Sequence, residues 1–237
     1  MTPLTLLISL ILSFTSGIAP LARTDLFGNP IQINSLYHRA GLSDAEQDLY
    51  DRIALSARLF VQDVDVLGAV EMGRILDVLT AVRLDNPDIF WLHYGLQAFF
   101  YGEADVVFVR LFFDIDKANA ADYIARFNAA AAPVLAEAAL LDGDRARAHF
   151  VYHALAASGE YYIDADFNQS AFSAIVLGEA VCMGLALAFQ FYMQQLGIDG
   201  VVLLSYVGDE LHALNRVCLD GEAMYFDVTR RVVAGSS

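Results

Sequence analysis

Residues 178–196 read GEAVCMGLALAFQFYMQQL, and they determine the architecture of the last third of the chain. No charged residue lies between Val181 and Leu196, and the run is long enough for about four turns of a buried helix. Three segments rich in apolar and β-branched residues follow, which we interpret as strands: 201–207 (VVLLSYV), 211–219 (LHALNRVCL) and 223–229 (AMYFDVT). A helix followed by consecutive strands predicts an α+β fold with the helix packed on an antiparallel sheet.

The last two strands are separated by Asp220-Gly221, a dipeptide favoured in two-residue hairpin turns. If Leu219 pairs with Glu222, then Leu214 lies opposite Asp227, and side chains two residues apart share a face. His212 and Asp227 would then be diagonal neighbours on one face, about 7–8 Å apart at the backbone. A four-residue loop gives the same register, whereas a three-residue loop would break it.

Cys182 opens the predicted helix, where the unpaired N–H groups and the dipole of the first turn favour a thiolate. In chain order, Cys182, His212 and Asp227 offer a nucleophile, an acid-base and an orienting carboxylate. A disulfide between Cys182 and Cys218 is the competing prediction. Cys218 lies six residues from His212, about 20 Å along a strand, whereas a disulfide needs Cα atoms within about 7 Å. Cys182 therefore cannot meet both partners.

Four stretches resemble the transglutaminase-like superfamily, in particular its exported bacterial branch: 168–172 (NQSAF), 178–184 (GEAVCMG), 212–215 (HALN) and 225–229 (YFDVT). The resemblance implies a papain-like fold in which Cys182 is the nucleophile, His212 the acid and base, and Asp227 the orienting group. It also implies acyl transfer from a peptide or amide to water, as in a peptidase or amidase, or to an amine. Gln169 is a candidate oxyanion donor; the alternative is a loop residue without a catalytic part.

Three departures from the family pattern motivate a different function. Leu214 stands where the family usually has Trp, Arg230-Arg231 stands where it usually has Trp-Asp, and ten residues follow Asp227 where relatives commonly add a strand. The alternative is a catalytically inactive binding or structural module that keeps the fold. A third hypothesis is a metal-dependent hydrolase using His149 and His153, which are four residues apart on a predicted helix. Two ordinary packed histidines are favoured there, and no metal or cofactor is expected.

The chain organisation predicts three parts: 1–22, a signal peptide or N-terminal anchor; 23–141, a helical region with a strand pair; and 142–237, the transglutaminase-like domain. The apolar run Leu4 to Phe14 is typical of a signal peptide or N-terminal anchor, and it predicts a secreted or cell-envelope protein. Ser43 and Glu46 form a capping box. The predicted helices are Ser43 to Phe60, Val66 to Val82, Lys117 to Leu141 and Arg145 to Ala157, and the strands are Phe90 to Phe100 and Val106 to Phe113.

Composition narrows the classes of partner. With 237 residues of which 57% are apolar, the chain can form a substantial core and is not disordered as a whole. Fourteen Lys and Arg against 29 Asp and Glu give a net charge of -15, which disfavours nucleic acid. Two cysteines are too few for a disulfide scaffold or a four-cysteine zinc site. The expected partner is a peptide or protein substrate, with membrane contact only through an uncleaved N-terminal segment.

Overall fold

Helices and antiparallel strands combine in an α+β fold, which confirms the predicted class. The structure is a computed structural model that describes residues 36–68, 70–101 and 105–235, and the predicted leader lies outside them. The helices are α1 (Tyr37–Ala40), α2 (Asp44–Leu59), α3 (Met72–Asp85), α4 (Ala120–Ala139), α5 (Asp144–Ser158), α6 (Cys182–Gln195) and α7 (Val228–Gly235). The strands are β1 (Asp63–Asp65), β2 (Leu92–Tyr101), β3 (Asp105–Phe113), β4 (Glu160–Tyr161), β5 (Glu179–Ala180), β6 (Gly200–Val207), β7 (Glu210–Leu219) and β8 (Glu222–Phe226).

The predicted capping box starts α2. The Ser43 N–H donates to Glu46 Oε2 at 2.8 Å, and the Glu46 carboxylate also accepts a hydrogen bond of 2.6 Å from Arg74 Nε. These hydrogen bonds lower the pKa of Glu46 to about 2, and the bond from Arg74 has the largest effect. The carboxylate therefore stays charged near the helix N-terminus, where the helix dipole favours it.

The predicted helix from Val66 to Val82 starts too early. Residues 63–65 form β1, which pairs with β3. The same pairing continues to Val66, whose N–H donates to the Val107 carbonyl at 3.0 Å. Val64 and Val66 are buried while Asp65 is exposed, and this period-two burial suits a strand. The helix begins only at Met72. The other predicted helices and the strand pair β2 and β3 are confirmed, with boundaries shifted by a few residues.

Helix α6 is the buried centre of the C-terminal part. Its residues from Gly184 to Met193 are all buried, which explains why its sequence is apolar on every face. Gln190 is hydrogen-bonded inside the core, because its Nε2 donates to the Gly200 carbonyl at 2.6 Å. Among the described residues, no helix combines the length and hydropathy needed to cross a bilayer.

The sheet beside α6 has the strand order β6-β7-β8, and both pairings are antiparallel. Leu219 pairs with Glu222, and Asn215 pairs with Phe226. Asp220 and Gly221 both have positive φ, 55° and 81°, as a type I′ turn requires. The predicted two-residue hairpin and its register are therefore confirmed.

The third predicted strand, Ala223 to Thr229, is too long. β8 ends at Phe226, and Val228 and Thr229 open α7 instead. Asp227 causes the change, since its Oδ1 accepts the Arg230 N–H at 3.2 Å, the bond of a helix N-cap. Val228 and Thr229 are β-branched, and this favoured a strand in the sequence. The N-cap formed by Asp227 outweighs that preference.

Side chains from both sides of the predicted boundary at 141/142 pack together. The rings of Phe127 in α4 and Phe191 in α6 have centroids 4.7 Å apart. All of the described residues belong to one compact unit. A separate domain from residue 142 onward stays a prediction.

Candidate active site

Cys182 is the first residue of α6, and Val181 is its N-cap. The thiol is half-buried and free, and Cys218 is exposed and free. The competing disulfide is therefore not formed. A cysteine at this position lies among the first N–H groups of the helix, which have no partner within the helix and favour negative charge.

His212 and Asp227 are in direct contact. His212 lies in β7, Asp227 directly follows β8, and the distance from His212 Nε2 to Asp227 Oδ2 is 2.9 Å. The side chains are 16% and 20% exposed, so the bond is only partly open to water. Because Nε2 donates to the carboxylate, Nδ1 is the ring nitrogen left to exchange a proton. The diagonal contact predicted from the hairpin register is confirmed.

Cys182 lies at the same end of the sheet as His212. Asn215 Nδ2 donates to the carbonyl of Ala186, one turn after Cys182, at 3.1 Å. One turn further on, Gln190 bonds Gly200, which pairs with Val217. Helix and strand thus run in the same direction, so the first turn of α6 lies toward the His212 end of β7. Within the described residues, no hydrogen bond joins the Cys182 thiol to the His212 ring.

Tyr161 is a residue of this region that sequence reasoning missed. β4 pairs in parallel with β5, and Tyr161 lies opposite Ala180, two residues before Cys182. Burial raises the pKa of the Tyr161 phenol, and the negative charges of Cys182 and Glu210 raise it further, while the Cys182 backbone N–H lowers it. Glu210 shares the strand face of His212, so Tyr161 is close both to Cys182 and to a residue of that face. A two-residue strand has too few positions to show a period in the sequence.

The segment 168–170 lies against the first turn of α6. The Val181 N–H donates to the Asn168 carbonyl at 3.0 Å. Gly184 makes this contact possible, because a Cβ there would lie 2.5 Å from the Asn168 oxygen and 2.9 Å from the Ser170 oxygen. Gln169 belongs to this segment and is half-buried, and its backbone oxygen accepts from Arg83. The structure thus brings Gln169 near the first turn of α6, and its oxyanion role stays a prediction.

Replacing Gly184 by alanine should displace this segment. The oxygens of Asn168 and Ser170 that the new Cβ would meet belong to the backbone, so no rotamer change can move them. We therefore expect a loss of about 1–3 kcal/mol in the free energy of unfolding, measured by urea denaturation. Gly73→Ala in α3 is the matched control, because nothing lies within 4 Å of its added Cβ. Since alanine favours a helix more than glycine does, this substitution should raise the free energy of unfolding by up to about 1 kcal/mol. Equal effects of the two substitutions would contradict the contact.

His149 and His153 lie on α5 with ring centroids 6.5 Å apart. The His149 ring packs edge-on against Phe226, with centroids 5.3 Å apart. In the part of the chain that the structure describes, no group of three or more His, Cys, Asp or Glu side chains could hold a metal ion. The described residues therefore supply no third ligand to this histidine pair.

Two of the solved structures that are similar to this chain are described as a cysteine protease and a TGase. A proposed cysteine protease from Cytophaga hutchinsonii has a TM-score of 0.39 and 16% identity, over 60% of this chain and 63% of its own. A structure described as a TGase has a TM-score of 0.40 and 15% identity, and the match covers 70% of this chain and 50% of the TGase chain. This chain thus spans between half and two thirds of their lengths. No protein-family model and no curated protein matches it.

Proposed function

We propose that the protein is a transglutaminase-like enzyme that performs cysteine-dependent acyl transfer on peptide or amide substrates. The observation that carries this proposal is the 2.9 Å contact of His212 with Asp227 at the end of the sheet where Cys182 opens α6. A thiol, an imidazole and a carboxylate from one helix and one hairpin supply the groups that acyl transfer needs.

In the proposed mechanism, His212 Nδ1 takes the thiol proton and the Cys182 sulfur attacks the carbonyl carbon of an amide. The carbon–nitrogen bond then breaks, and His212 returns the proton to the departing amine. The acyl group remains on sulfur as a thioester. Water or a second amine gives a proton to His212, attacks the thioester and regenerates the thiol. The first N–H groups of α6 are donors near the carbonyl oxygen, where negative charge develops.

Asp227 is placed to hold His212 in the tautomer that this mechanism needs. Its Oδ2 accepts from Nε2, and its Oδ1 caps α7. Tyr152 supports the same residue, because its hydroxyl donates to the Asp227 backbone oxygen at 3.3 Å. Burial raises the pKa of Tyr152, and the charge of Asp227 raises it further. The carboxylate is thus fixed by the hairpin, the cap and α5.

The substrate and the location are part of the proposal. The solvent-exposed end of the sheet carries exposed apolar side chains, with Tyr206 72% and Leu211 54% exposed on paired positions of β6 and β7, and such side chains suit an extended peptide. The apolar N-terminal run supports secretion or attachment to the cell envelope, in the manner of the exported bacterial branch.

The alkylation rate of Cys182 tests the proposal before any substrate is known. We expect iodoacetamide to label Cys182 rapidly at pH 6 in the native protein and at least about tenfold more slowly in His212→Ala, because the imidazole keeps the sulfur as thiolate. Mass spectrometry of the labelled peptides gives both rates. The exposed Cys218 is an internal reference that lies six residues from His212, and it should label slowly at pH 6 in both proteins.

An inactive binding module is the second candidate. Leu214 in place of the family's tryptophan favours it, and so does the missing hydrogen bond between Cys182 and His212 in the described residues. Cys182 would then label no faster than Cys218 at any pH, and His212→Ala would leave both rates unchanged. That pattern would overturn the enzymatic proposal.

A further inference from the structure

A cavity of about 410 Å³ lies beside the segment 166–170 that borders the first turn of α6. Its other walls come from α3, β2 and the residue after β3. The segment is shared with the candidate active site, since Asn168 accepts the N–H of Val181, the residue before Cys182. The residues that line the cavity are Arg83, His93, Tyr94, Asp114 and the segment 166–170.

Arg83 is the most informative residue of this cavity. Its Nε donates to the Leu92 carbonyl at 3.2 Å, and one Nη donates to the Gln169 carbonyl at 2.9 Å. A guanidinium has five N–H donors, so donors remain on its cavity side. Burial lowers the pKa of Arg83, and the charge of Asp114 opposes this only in part. Among the described residues, no carboxylate lies within ion-pair distance of Arg83.

The half-buried guanidinium of Arg83 donates to two neutral carbonyls, and among the described residues no carboxylate at ion-pair distance compensates its loss of hydration. The carboxylate of Asp114, whose charge acts on Arg83, lies 4.0 Å from His93 Nε2 and is partly exposed. Tyr94, also a cavity residue, is 59% exposed. The cavity thus offers a guanidinium, an imidazole and a phenol as donors, and the carboxylates of Asp114 and Asp166 belong to the same lining.

We propose that this cavity binds a carboxylate of the peptide substrate, with Arg83 as its charged partner and His93 and Tyr94 as additional donors. A guanidinium recognises a planar carboxylate through two parallel hydrogen bonds. The carboxylate is either the free C-terminus of the peptide or an Asp or Glu side chain. That the ligand belongs to a peptide rests on the proposed function, whereas recognition of the carboxylate rests on the cavity alone.

Calorimetric titration of the full-length Cys182→Ala protein tests the site without turnover. The probes are N-acetyl-tetra-alanine with a free C-terminus, its C-terminal carboxamide, and a carboxamide with one internal glutamate. We expect the free acid to bind at least about tenfold more tightly than the plain carboxamide, because charged hydrogen bonds are the stronger ones. Preference for the glutamate peptide instead would assign the site to a side-chain carboxylate. Equal binding of all three peptides, or no binding of any, would overturn the proposal.

Two variants connect the preference to the cavity. Arg83→Lys keeps the charge but loses the planar fork, so the advantage of the acid should fall by about fivefold or more. Tyr94→Phe should weaken binding of the acid by about twofold to fivefold, and Tyr101→Phe, on the same strand and 80% exposed, is its matched control. An unchanged preference in both Arg83→Lys and Tyr94→Phe would overturn the assignment.

The failures of the two proposals are distinguishable. Slow labelling of Cys182 together with tighter binding of the free acid would leave a carboxylate-binding module without catalysis. Fast labelling of Cys182 with equal binding of acid and carboxamide would leave the enzyme and remove this site.

Discussion

Replacing Cys182 by alanine is expected to lower the rate of acyl transfer by about 10⁴-fold or more, because no other group in the described site can form the thioester. Such a loss corresponds to about 5.5 kcal/mol of transition-state stabilisation. Incorporation of dansylcadaverine into dimethylated casein measures transfer to an amine, and mass spectrometry of casein fragments measures transfer to water. The two readouts together decide which acceptor the proposed enzyme uses.

Cys218→Ala is the matched control for this substitution. Cys218 is a free thiol of the same chain and lies in β7 with His212, but it is exposed and six residues away. We expect its removal to change either rate by less than about twofold, as an exposed substitution away from the site should. A protein that keeps its activity without Cys182 would refute the nucleophile assignment.

Asp227→Asn is expected to separate catalysis from stability. Asp227 uses both oxygens, Oδ2 for His212 and Oδ1 for the Arg230 N–H, whereas asparagine has one oxygen and one amide nitrogen. If the oxygen keeps the cap, the NH₂ group faces Nε2 and moves the ring proton to Nδ1. His212 then cannot accept the thiol proton, and kcat should fall by about 10²- to 10⁴-fold. Since asparagine is an equally good N-cap, the free energy of unfolding should change by less than about 1 kcal/mol.

Asp227→Ala and Asp227→Ser complete this comparison. Alanine removes the cap as well, so it should lower both kcat and the free energy of unfolding, the latter by about 1 kcal/mol or more. Serine restores a capping oxygen without a carboxylate, and it should recover stability but not kcat. Urea denaturation and the casein assays provide the two measurements. Full activity in Asp227→Asn would show that the carboxylate is only a structural cap.

The cavity beside Arg83 and the site at Cys182 make the segment 166–170 a shared element. Its Asn168 carbonyl accepts from Val181, and its Gln169 carbonyl accepts from Arg83. Gly184→Ala and Arg83→Lys are therefore both expected to disturb the segment 166–170. A substrate held by its carboxylate in this cavity would lie against the segment that also contacts the N-cap residue of α6.

Local patterns were sufficient for most of the elements. The charge-free run determined α6 as a buried helix, and Asp220-Gly221 determined the hairpin and its register. Because side chains alternate along a strand, that register alone placed His212 beside Asp227. The Ser43 and Glu46 pair likewise marked the start of α2. All of these signals act over a few residues, so the sequence carries them without knowledge of the whole chain.

Other features depended on segments far apart in the sequence. The pairing of β1 with β3 overrode the helical pattern after Val66, and the cap by Asp227 ended β8 early. The position of Tyr161 beside Cys182 and the cavity at Arg83 arise only when β4, β5, α3 and the segment 166–170 pack together. Residue spacing specifies neighbours along one helix or hairpin, whereas contacts between elements depend on how their buried faces fit. The sequence alone thus determined the buried helix that begins at Cys182 and the His212–Asp227 pair, and only tertiary packing decided what surrounds them.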